Sequence, residues 1–286
     1  MHIAISVELS EAQRARFHED GFLVLERLID AASVEELRAR FGPLFRGEFE
    51  TGLQPDEWNW REGRDDPSLS RQICNGWRAD RRVASLVLHE AVGRLAAELM
   101  NWPGARICQD NVIWKPPGAR SLGFHQDDSY QRWTLPPAMV TCWVALDATT
   151  VEGGTMELVR GSHRWPLSAP AREFHAPADY RAEMLAAAKA AGVAQPEIVP
   201  IVVPAGGGSF HHGGIWHGSG PNRGREPRRS LVSHCLSSEA RFHPTEVGPI
   251  YGRYRRIGSD EMDESFFPIL WTRDGRRSAW LSRYLS

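Results

Sequence analysis

A histidine and an aspartate stand two residues apart in the segment FHQDDSY, which runs from residue 124 to 130. On an extended strand, residues i and i+2 point to the same face. An extended backbone would therefore bring the imidazole of His125 and the carboxylate of Asp127 to one point in space. A divalent metal is the commonest occupant of such a point. The motif is short enough to occur by chance, so it needs support from a further ligand.

That further ligand is His217, in the downstream segment IWHGSGPN at residues 215–222. Two histidines and one carboxylate with open coordination positions form the facial triad of non-haem Fe(II) oxygenases. We therefore predict that His125, Asp127 and His217 bind the metal and form the catalytic centre. They would leave about half of an octahedral shell free, as an O₂-activating site requires.

The combined motifs resemble those of the phytanoyl-CoA dioxygenase family of Fe(II)/2-oxoglutarate oxygenases. The match consists of His125-Gln126-Asp127, His217-Gly-Ser-Gly-x-Asn, and an arginine eleven residues after that histidine (228 − 217 = 11). Three further segments agree: DGFLVL at 20–25, WKPP at 114–117, and EGGTMELVRGSH at 152–163, where Arg160 replaces the usual proline. The resemblance runs from about residue 10 to residue 240, and it implies Fe(II), 2-oxoglutarate and O₂ as cofactors.

The resemblance also implies residues that bind 2-oxoglutarate. Arg228 is expected to hold the distal carboxylate, because a guanidinium offers a planar pair of donors that matches a carboxylate. Arg229 remains the alternative, since one inserted residue in the loop would shift the count. Ser219 lies two residues after His217 and is expected to be a second donor to the cosubstrate.

Three more positions are carried over from the resemblance as cofactor-binding residues, and a fourth, His212, is inferred from its place beside the site. Trp143, Lys115 and Gln109 match positions near the iron or the cosubstrate in relatives, although Lys115 is equally compatible with a surface lysine. His211 and His212 are adjacent, so on a strand they cannot both point at one metal. We expect the cosubstrate contact from His212 and assign no role to His211.

Three residues that follow the first motif are candidates to face the substrate: Asp128, Tyr130 and Trp133. The alternative for each is ordinary loop packing. The substrate itself is expected to be a small polar metabolite or biosynthetic intermediate. Neither a phosphate-binding glycine-rich loop nor a concentrated lysine patch favours an acyl-CoA.

Composition limits the remaining classes of function. The 286 residues carry a net charge of −2, so bulk attraction to nucleic acid or to an anionic membrane is not expected. Four scattered cysteines fit a reduced, cytoplasmic protein rather than a disulfide or zinc framework. The first six residues lack the basic and apolar regions of a signal peptide, and no apolar run is long enough to span a membrane. The oligomeric state is left open.

The pattern of apolar residues predicts a mainly β fold with flanking helices, built on a double-stranded β-helix, or jelly-roll (cupin-like), core. From Val140 to Leu146 the even-numbered and odd-numbered residues form two different apolar faces, which suits a strand between the barrel lumen and a covering helix. We expect one domain over residues 1–286. It would comprise a helical flank at 1–103, a core at 104–245 with an insertion at about 166–197, and a C-terminal extension at 246–286.

The sequence thus predicts an Fe(II)/2-oxoglutarate dioxygenase that hydroxylates a C–H bond of a small molecule and decarboxylates 2-oxoglutarate to succinate. Two alternatives remain: a zinc-dependent hydrolase that uses the same three ligands, and a non-catalytic jelly-roll binding protein. Zinc would leave Arg228 without a role. A module that had lost its metal would usually lack a ligand. A halogenase is disfavoured because Asp127 occupies the place where a halide would need to bind.

Overall fold

The computed structural model describes residues 3–286, so Met1 and His2, the first residues of the segment tested for a signal peptide, lie outside it. The α-helices are α1 (Glu11–Asp20), α2 (Ala31–Phe45), α3 (Arg81–Val87), α4 (Glu90–Met100), α5 (Ala182–Ala190) and α6 (Leu281–Tyr284). The strands are β1 (Phe22–Leu25), β2 (Glu57–Trp58), β3 (Arg71–Cys74), β4 (Gly104–Lys115), β5 (Leu122–His125), β6 (Thr134–Leu135), β7 (Val140–Ala145), β8 (Met156–Val159), β9 (Ile198–Pro200), β10 (Gly208–His212), β11 (His217–Ser219), β12 (Arg228–Ser237), β13 (Arg241–Phe242) and β14 (Ile269–Thr272).

Two antiparallel sheets form the core. The larger sheet has the order β1-β10-β7-β12-β4-β3-β2, with β14 paired to β4, and the smaller sheet has the order β5-β11-β8-β9. A two-stranded ribbon of β13 and β6 completes the strands of the described chain. This architecture confirms the expected mainly β, jelly-roll-like fold with flanking helices.

Strand β7 lies in the middle of the larger sheet and is buried on both faces. Val140, Cys142 and Val144 belong to the large core that the sheet shares with the helices. Trp143 and Ala145 belong to a separate core cluster between the two sheets. The two apolar faces inferred from the sequence therefore pack in different environments, as predicted.

Local capping explains where the first two helices begin. The side chain of Ser10 accepts a hydrogen bond from the Gln13 amide, and the Gln13 side chain accepts from the Ser10 amide, so the two residues form a capping box at the start of α1. Asp30 caps α2 by accepting from the Ser33 amide, and the helix therefore begins at Ala31.

The segments outside the central strands contribute to the larger sheet. The region at 45–80 forms β2, β3 and the short 3-10 helix Gly76–Arg78. The C-terminal tail supplies β14, which pairs with β4. The larger sheet thus contains strands from all three segments into which the sequence was divided, and the division into one domain with an insertion stays a prediction.

Helix length and polarity also bear on membrane association. Among residues 3–286, no helix combines the length and the apolar character that a membrane span requires.

Helix α2 covers the larger sheet with a row of buried residues, and Leu37 is completely buried in it. Replacing Leu37 by alanine should lower the free energy of unfolding by about 2–5 kcal/mol, because the deletion leaves a cavity in a packed core. Leu185→Ala on α5, where the residue is 45% exposed, is the matched control and should lower the free energy of unfolding by much less. Urea denaturation of the two variants checks the difference, and equal losses would contradict the assignment of α2 to the core.

Candidate active site

The two triad histidines are brought together by pairing within the smaller sheet. His125 ends β5, His217 begins β11, and the two residues are direct partners in the antiparallel register. Their ring centroids lie 4.1 Å apart. A residue pair separated by 92 positions (217 − 125) therefore becomes one cross-strand pair, a contact typical of antiparallel sheets.

Asp127 reaches the same point, although not from a strand as the sequence argument assumed. It begins a 3-10 helix, Asp127–Tyr130, directly after β5. Gln126 between the two motif residues keeps an extended backbone (φ −116°, ψ 126°), so the side chains on either side of it still share a face. The carboxylate Oδ1 lies 3.4 Å from Nε2 of His125 and 3.6 Å from Nε2 of His217.

The protonation pattern of the two imidazoles fits a metal site. Nδ1 of His125 lies 2.9 Å from the Gly123 carbonyl, and Nδ1 of His217 lies 3.2 Å from the Ile215 carbonyl. A carbonyl can only accept, so each Nδ1 carries the proton and each neutral ring presents its Nε2 lone pair to the centre. One ligand atom from each of His125, Asp127 and His217 lies within 4.8 Å of the others. This donor set fits a divalent cation with open coordination positions.

The electrostatic environment also favours the protonation states that a metal site requires. Burial would raise the pKa of the Asp127 carboxyl, but the nearby imidazoles of His217 and His234 hold that pKa well below its ordinary value. Burial, together with the neighbouring His125, lowers the pKa of His217 well below its usual range. A charged carboxylate and a neutral imidazole are the forms that bind a metal ion.

A narrow inner pocket of about 70 Å³ opens beside the triad, and Arg228 lines it. The Arg228 side chain is buried, and its guanidinium makes no hydrogen bond or ion pair with any residue between 3 and 286, with Nε left without an acceptor. Burial lowers the pKa of Arg228 to about 10, which still leaves it charged at neutral pH. An unpaired buried cation is costly, so this pocket is suited to an anionic ligand.

The competing arginine is already paired. Arg229 points away from the pocket and donates to both carboxylate oxygens of Asp147, at 3.0 Å and 2.8 Å. The strand alternation of β12 places the two arginine side chains on opposite faces. The geometry therefore favours Arg228 over Arg229 as the residue that meets an anion.

Lys115 and Ser219 form one unit at the end of the inner pocket. The Lys115 ammonium is completely buried, donates to Ser219 Oγ at 2.8 Å, and also donates to the Gly220 carbonyl. Ser219 lines the inner pocket, whereas Lys115 does not. Lys115 is thus neither a surface lysine nor a pocket residue. It holds the Ser219 hydroxyl, which keeps its own proton to donate.

The assignment of the neighbouring histidines has to be corrected. His211, on β10, lines the inner pocket, and neither of its ring nitrogens has a hydrogen-bond partner in the described structure. His212 faces the other way, where its Nδ1 accepts from the Gly214 amide and its ring lies 5.4 Å from that of His163. The alternation argument was correct, but the choice between the two residues was not. Trp143 lines the inner pocket as expected, with the Arg228 guanidinium 5.9 Å from its ring.

An outer cavity of about 570 Å³ lies on the other side of the triad. Gln109 lines this cavity rather than the inner pocket, which corrects its assignment to the cosubstrate. Tyr130 and Trp133 also line it, in keeping with their expected place near a substrate. Asp128 does not, because its carboxylate is buried and accepts from the Met139 amide at 2.8 Å. Burial raises the pKa of Asp128 to about 8.

Sequence reasoning missed several polar residues around the triad. Thr141 donates to Asp127 Oδ2 at 2.7 Å, and His234 lies 2.8 Å from Thr141 Oγ1. Asn111 and Tyr251 line the outer cavity. Thr141 is a polar residue inside the otherwise apolar strand β7, and that was the one signal in the sequence that could have marked it.

Comparison with protein families adds independent information. The family model described as phytanoyl-CoA dioxygenase (PhyH) matches residues 17–230 of the chain. Among curated relatives, the dioxygenase cdmD of Talaromyces verruculosus is 25% identical over 257 residues, covering 80% of this chain and 76% of that protein. The peroxisomal phytanoyl-CoA dioxygenase of Rattus norvegicus is 24% identical over 259 residues, covering 82% of this chain and 70% of that protein.

Solved structures share the architecture. The epimerase SnoN in complex with Fe3+, alpha ketoglutarate and nogalamycin RO has a TM-score of 0.69 and 23% identity, covering 91% of this chain and 98% of its own. EctD from S. alaskensis with 2-oxoglutarate and 5-hydroxyectoine has a TM-score of 0.66 and 22% identity, covering 87% of this chain and 84% of its own. At sequence identities below 25%, this similarity shows that the fold is shared and no more.

Removing a ligand from the triad should strongly weaken metal binding. We expect His125→Ala, Asp127→Ala and His217→Ala each to weaken the affinity for Fe(II) or Co(II) by at least about a hundredfold, since even residues behind the ligands change affinity by about tenfold to a hundredfold. His18→Ala, at an exposed position, is the control and should bind as the unaltered protein does. Anaerobic titration gives the dissociation constants, and unchanged affinity in Asp127→Ala would exclude this site.

Proposed function

This chain belongs to the phytanoyl-CoA dioxygenase family, and we propose that it hydroxylates a C–H bond of a small organic metabolite. The enzyme class and the cofactors expected from the motifs are confirmed: it is a dioxygenase that uses iron, 2-oxoglutarate and O₂. The assignment of individual residues to these cofactors, the substrate and the outcome of the oxidation are our proposals.

The observation that carries the residue assignment is the pairing of the triad with the unpartnered Arg228 in one inner pocket. A dicarboxylate is the ligand that this arrangement suits. One carboxylate with its adjacent keto group would bind the iron. The other would neutralise Arg228 through charge-assisted hydrogen bonds. The hydroxyl of Ser219, held by Lys115, would donate a further hydrogen bond.

Two more residues have the chemistry to orient the cosubstrate. His211 lines the same pocket with its Nε2 3.6 Å from Asp127 Oδ2, and neither of its ring nitrogens makes a hydrogen bond in the described structure, which makes it a candidate donor. The indole of Trp143 closes the wall next to Arg228 and keeps water from the guanidinium. Exclusion of water strengthens the interaction between a carboxylate and a guanidinium.

Bound iron would supply the activation of O₂ that couples decarboxylation of 2-oxoglutarate to oxidation of the substrate. The contribution of the chain is positional. His125 and His217 keep their Nδ1 protons on backbone carbonyls, so their Nε2 atoms stay available to the metal. Asp127 presents Oδ1 to the same centre while Oδ2 is held by Thr141.

The outer cavity supports a substrate of moderate size with both polar and apolar faces. Its lining combines carboxamides, apolar and aromatic side chains, and two acidic and two basic residues besides the triad. The carboxamides are Asn59, Gln72, Gln109, Asn111 and Gln131; the apolar side chains include Trp133, Met139, Phe174 and Ile250; the charged residues are Glu57, Glu246, Arg132 and Arg172. Uncharged donors and acceptors recognise hydroxyl and carbonyl groups, so we propose a largely neutral, oxygen-bearing metabolite.

The alternatives fit less well. A zinc hydrolase would have no need for a buried guanidinium beside its metal, and a binding module would have no need for correctly protonated ligands. The relatives of known structure include an epimerase and a carbocyclase, SnoN and SnoK, so the fold hosts more than one oxidative outcome. We favour hydroxylation as the direct outcome.

Replacing Arg228 tests the cosubstrate site. Arg228→Ala should weaken 2-oxoglutarate binding by about tenfold to a hundredfold or more, because a hydrogen bond to a charged group contributes about 1.5–3 kcal/mol. Arg229→Ala is the matched control, since its ion pair with Asp147 lies outside the pocket. The visible charge-transfer band of the anaerobic Fe(II) complex, titrated with 2-oxoglutarate, measures both. The reverse ranking would transfer the role to Arg229.

A screen for metabolites that stimulate succinate formation tests the reaction itself. The product of the active compound should contain one more oxygen atom than the substrate, and mass spectrometry in ¹⁸O₂ should show that the atom comes from O₂. An unchanged mass would indicate epimerisation, and a loss of two hydrogens would indicate desaturation or ring closure. Either of these results would contradict hydroxylation while leaving the enzyme class intact.

A further inference from the structure

A continuous row of polar side chains runs from the wall of the outer cavity to the rear oxygen of the triad carboxylate. Five hydrogen bonds of 2.7–3.0 Å join its six members. In order from the cavity they are Tyr251, Gln109, Asn111, His234, Thr141 and Asp127. In the proposed function only one of these bonds, from Thr141 to Asp127, has a role.

The donor of each bond can be assigned from the end at Asp127. A deprotonated carboxylate only accepts, so Thr141 must donate its hydroxyl proton to Oδ2, at 2.7 Å. That hydroxyl can then only accept from His234, whose Nδ1 lies 2.8 Å away. The Nδ1 of His234 therefore carries a proton, and in the neutral ring its Nε2 is an acceptor.

The rest of the row continues in the same direction. The Asn111 amide donates to His234 Nε2 at 3.0 Å, and its own oxygen accepts from the Gln109 amide at 2.9 Å. The Tyr251 hydroxyl donates to the Gln109 oxygen at 2.7 Å. Each amide thus has one orientation that satisfies both neighbours, and every donor in the row points toward Asp127.

The sheet holds this row in place. Gln109 on β4 is the register partner of His234 on β12, and His234 is the register partner of Thr141 on β7. Asn111 lies two residues along β4, on the same face as Gln109. Three neighbouring strands therefore fix the middle of the row, and the side chains of Thr141, Asn111 and His234 are all buried.

The far end is attached to a different part of the chain. Tyr251 begins the 3-10 helix Tyr251–Tyr254 in the C-terminal segment, which otherwise packs against the aromatic cluster around Trp133. The Tyr251 hydroxyl, Gln109, Asn111 and His234 all belong to residues that line the outer cavity. Asp127 lines the cavity as well, so a ligand there would meet five of the six members.

We propose that this row positions the triad carboxylate and couples it to the occupancy of the outer cavity, with Tyr251, Gln109, Asn111, His234 and Thr141 as positioning residues. Hydrogen bonds that all point in the same direction along a chain strengthen one another. In a buried site, breaking one of them leaves a polar group without a hydrogen-bond partner. With Oδ2 engaged by Thr141, Asp127 offers Oδ1 alone to the metal. A ligand that bonds to Gln109 or displaces the Tyr251 hydroxyl would alter the bond at Oδ2 and hence the metal site.

The inference rests on the proposed role of Asp127 as a metal ligand, and the first experiment tests the hydrogen bond from Thr141 to Asp127. Thr141→Val removes the hydroxyl and retains the branched shape, so Co(II) affinity should fall by about tenfold or more. Thr141→Ser keeps the hydroxyl and should restore affinity to within about threefold of the unaltered protein, on the same scale. Thr149→Val, which removes a buried hydroxyl bonded only to the Ile201 and Val203 backbone, is the control for folding.

The second experiment tests transmission along the row. Tyr251→Phe removes the terminal hydroxyl and should weaken Co(II) binding by about threefold. Tyr254→Phe, in the same segment but bonded to Asp56 and Arg78, should not. In the double variant Thr141→Val/Tyr251→Phe the affinity should equal that of Thr141→Val alone, because the hydrogen bond from Thr141 links the row to Asp127 Oδ2, whereas His234 Nδ1 lies 3.5 Å from that oxygen without a hydrogen bond to it. Substitutions at distant, independent sites would instead multiply their effects.

The outcomes separate the inference from the site on which it rests. If Asp127→Ala binds Co(II) normally, the metal site itself is wrong. If Asp127→Ala loses the metal but Thr141→Val retains it, or Tyr251→Phe has no effect, or the effects in the double variant multiply, the positioning row is overturned. A weakened Thr141→Val, a restored Thr141→Ser and a non-multiplying double variant together support it. Circular dichroism of each variant excludes loss of the fold as the cause.

Discussion

The arrangement of the core depends on one buried negative charge, the carboxylate of Asp127, which is surrounded by imidazoles. Its oxygens lie 3.4–3.6 Å from ring nitrogens of four histidines. A buried charge is costly unless it is paired and hydrogen-bonded, and neutral imidazoles and one hydroxyl only partly compensate it. A divalent cation among His125, Asp127 and His217, as proposed, would supply the missing charge. The surrounding groups come from five strands: His125 from β5, Thr141 from β7, His211 from β10, His217 from β11 and His234 from β12.

The two cavities beside this charge differ in their chemistry. The inner pocket contains a buried, unpaired guanidinium from Arg228, so it selects for an anion. The outer cavity is lined by carboxamides, by apolar side chains and by equal numbers of acidic and basic residues besides the triad, so it has no single unpaired charge of the kind that Arg228 provides. A charged cosubstrate and a neutral substrate would thus be sorted to opposite sides of the metal. This sorting follows from the cost of desolvating a charge without a partner.

The elements added around the jelly roll shape the outer cavity more than the inner pocket. The region of β2 and β3 contributes Glu57, Gln72 and, directly after β2, Asn59 to its wall, and the C-terminal segment contributes Tyr251. The inner pocket is lined chiefly by residues of the core strands. This arrangement allows one fold to keep its metal ligands while its substrate changes, because residues outside the barrel can be replaced without moving the metal ligands.

The sequence alone determined the features that local spacing encodes. It predicted the His125, Asp127 and His217 set, the two apolar faces of β7, and the family to which the chain belongs, because these depend on short segments and strict periodicity. It also established that His211 and His212 face opposite ways. Strand alternation gives this relation from two adjacent residues without any knowledge of the sheet.

Only the tertiary structure decided which of the alternating residues face the site. His211 rather than His212, and Arg228 rather than Arg229, line the inner pocket because pairing with β7 and β4 sets the phase of β10 and β12. The contact between Thr141 and His234 joins residues 93 positions apart in the chain. A shift of one residue in strand register would turn every side chain to the other face, so the register, which depends on packing across the whole sheet, determines these contacts.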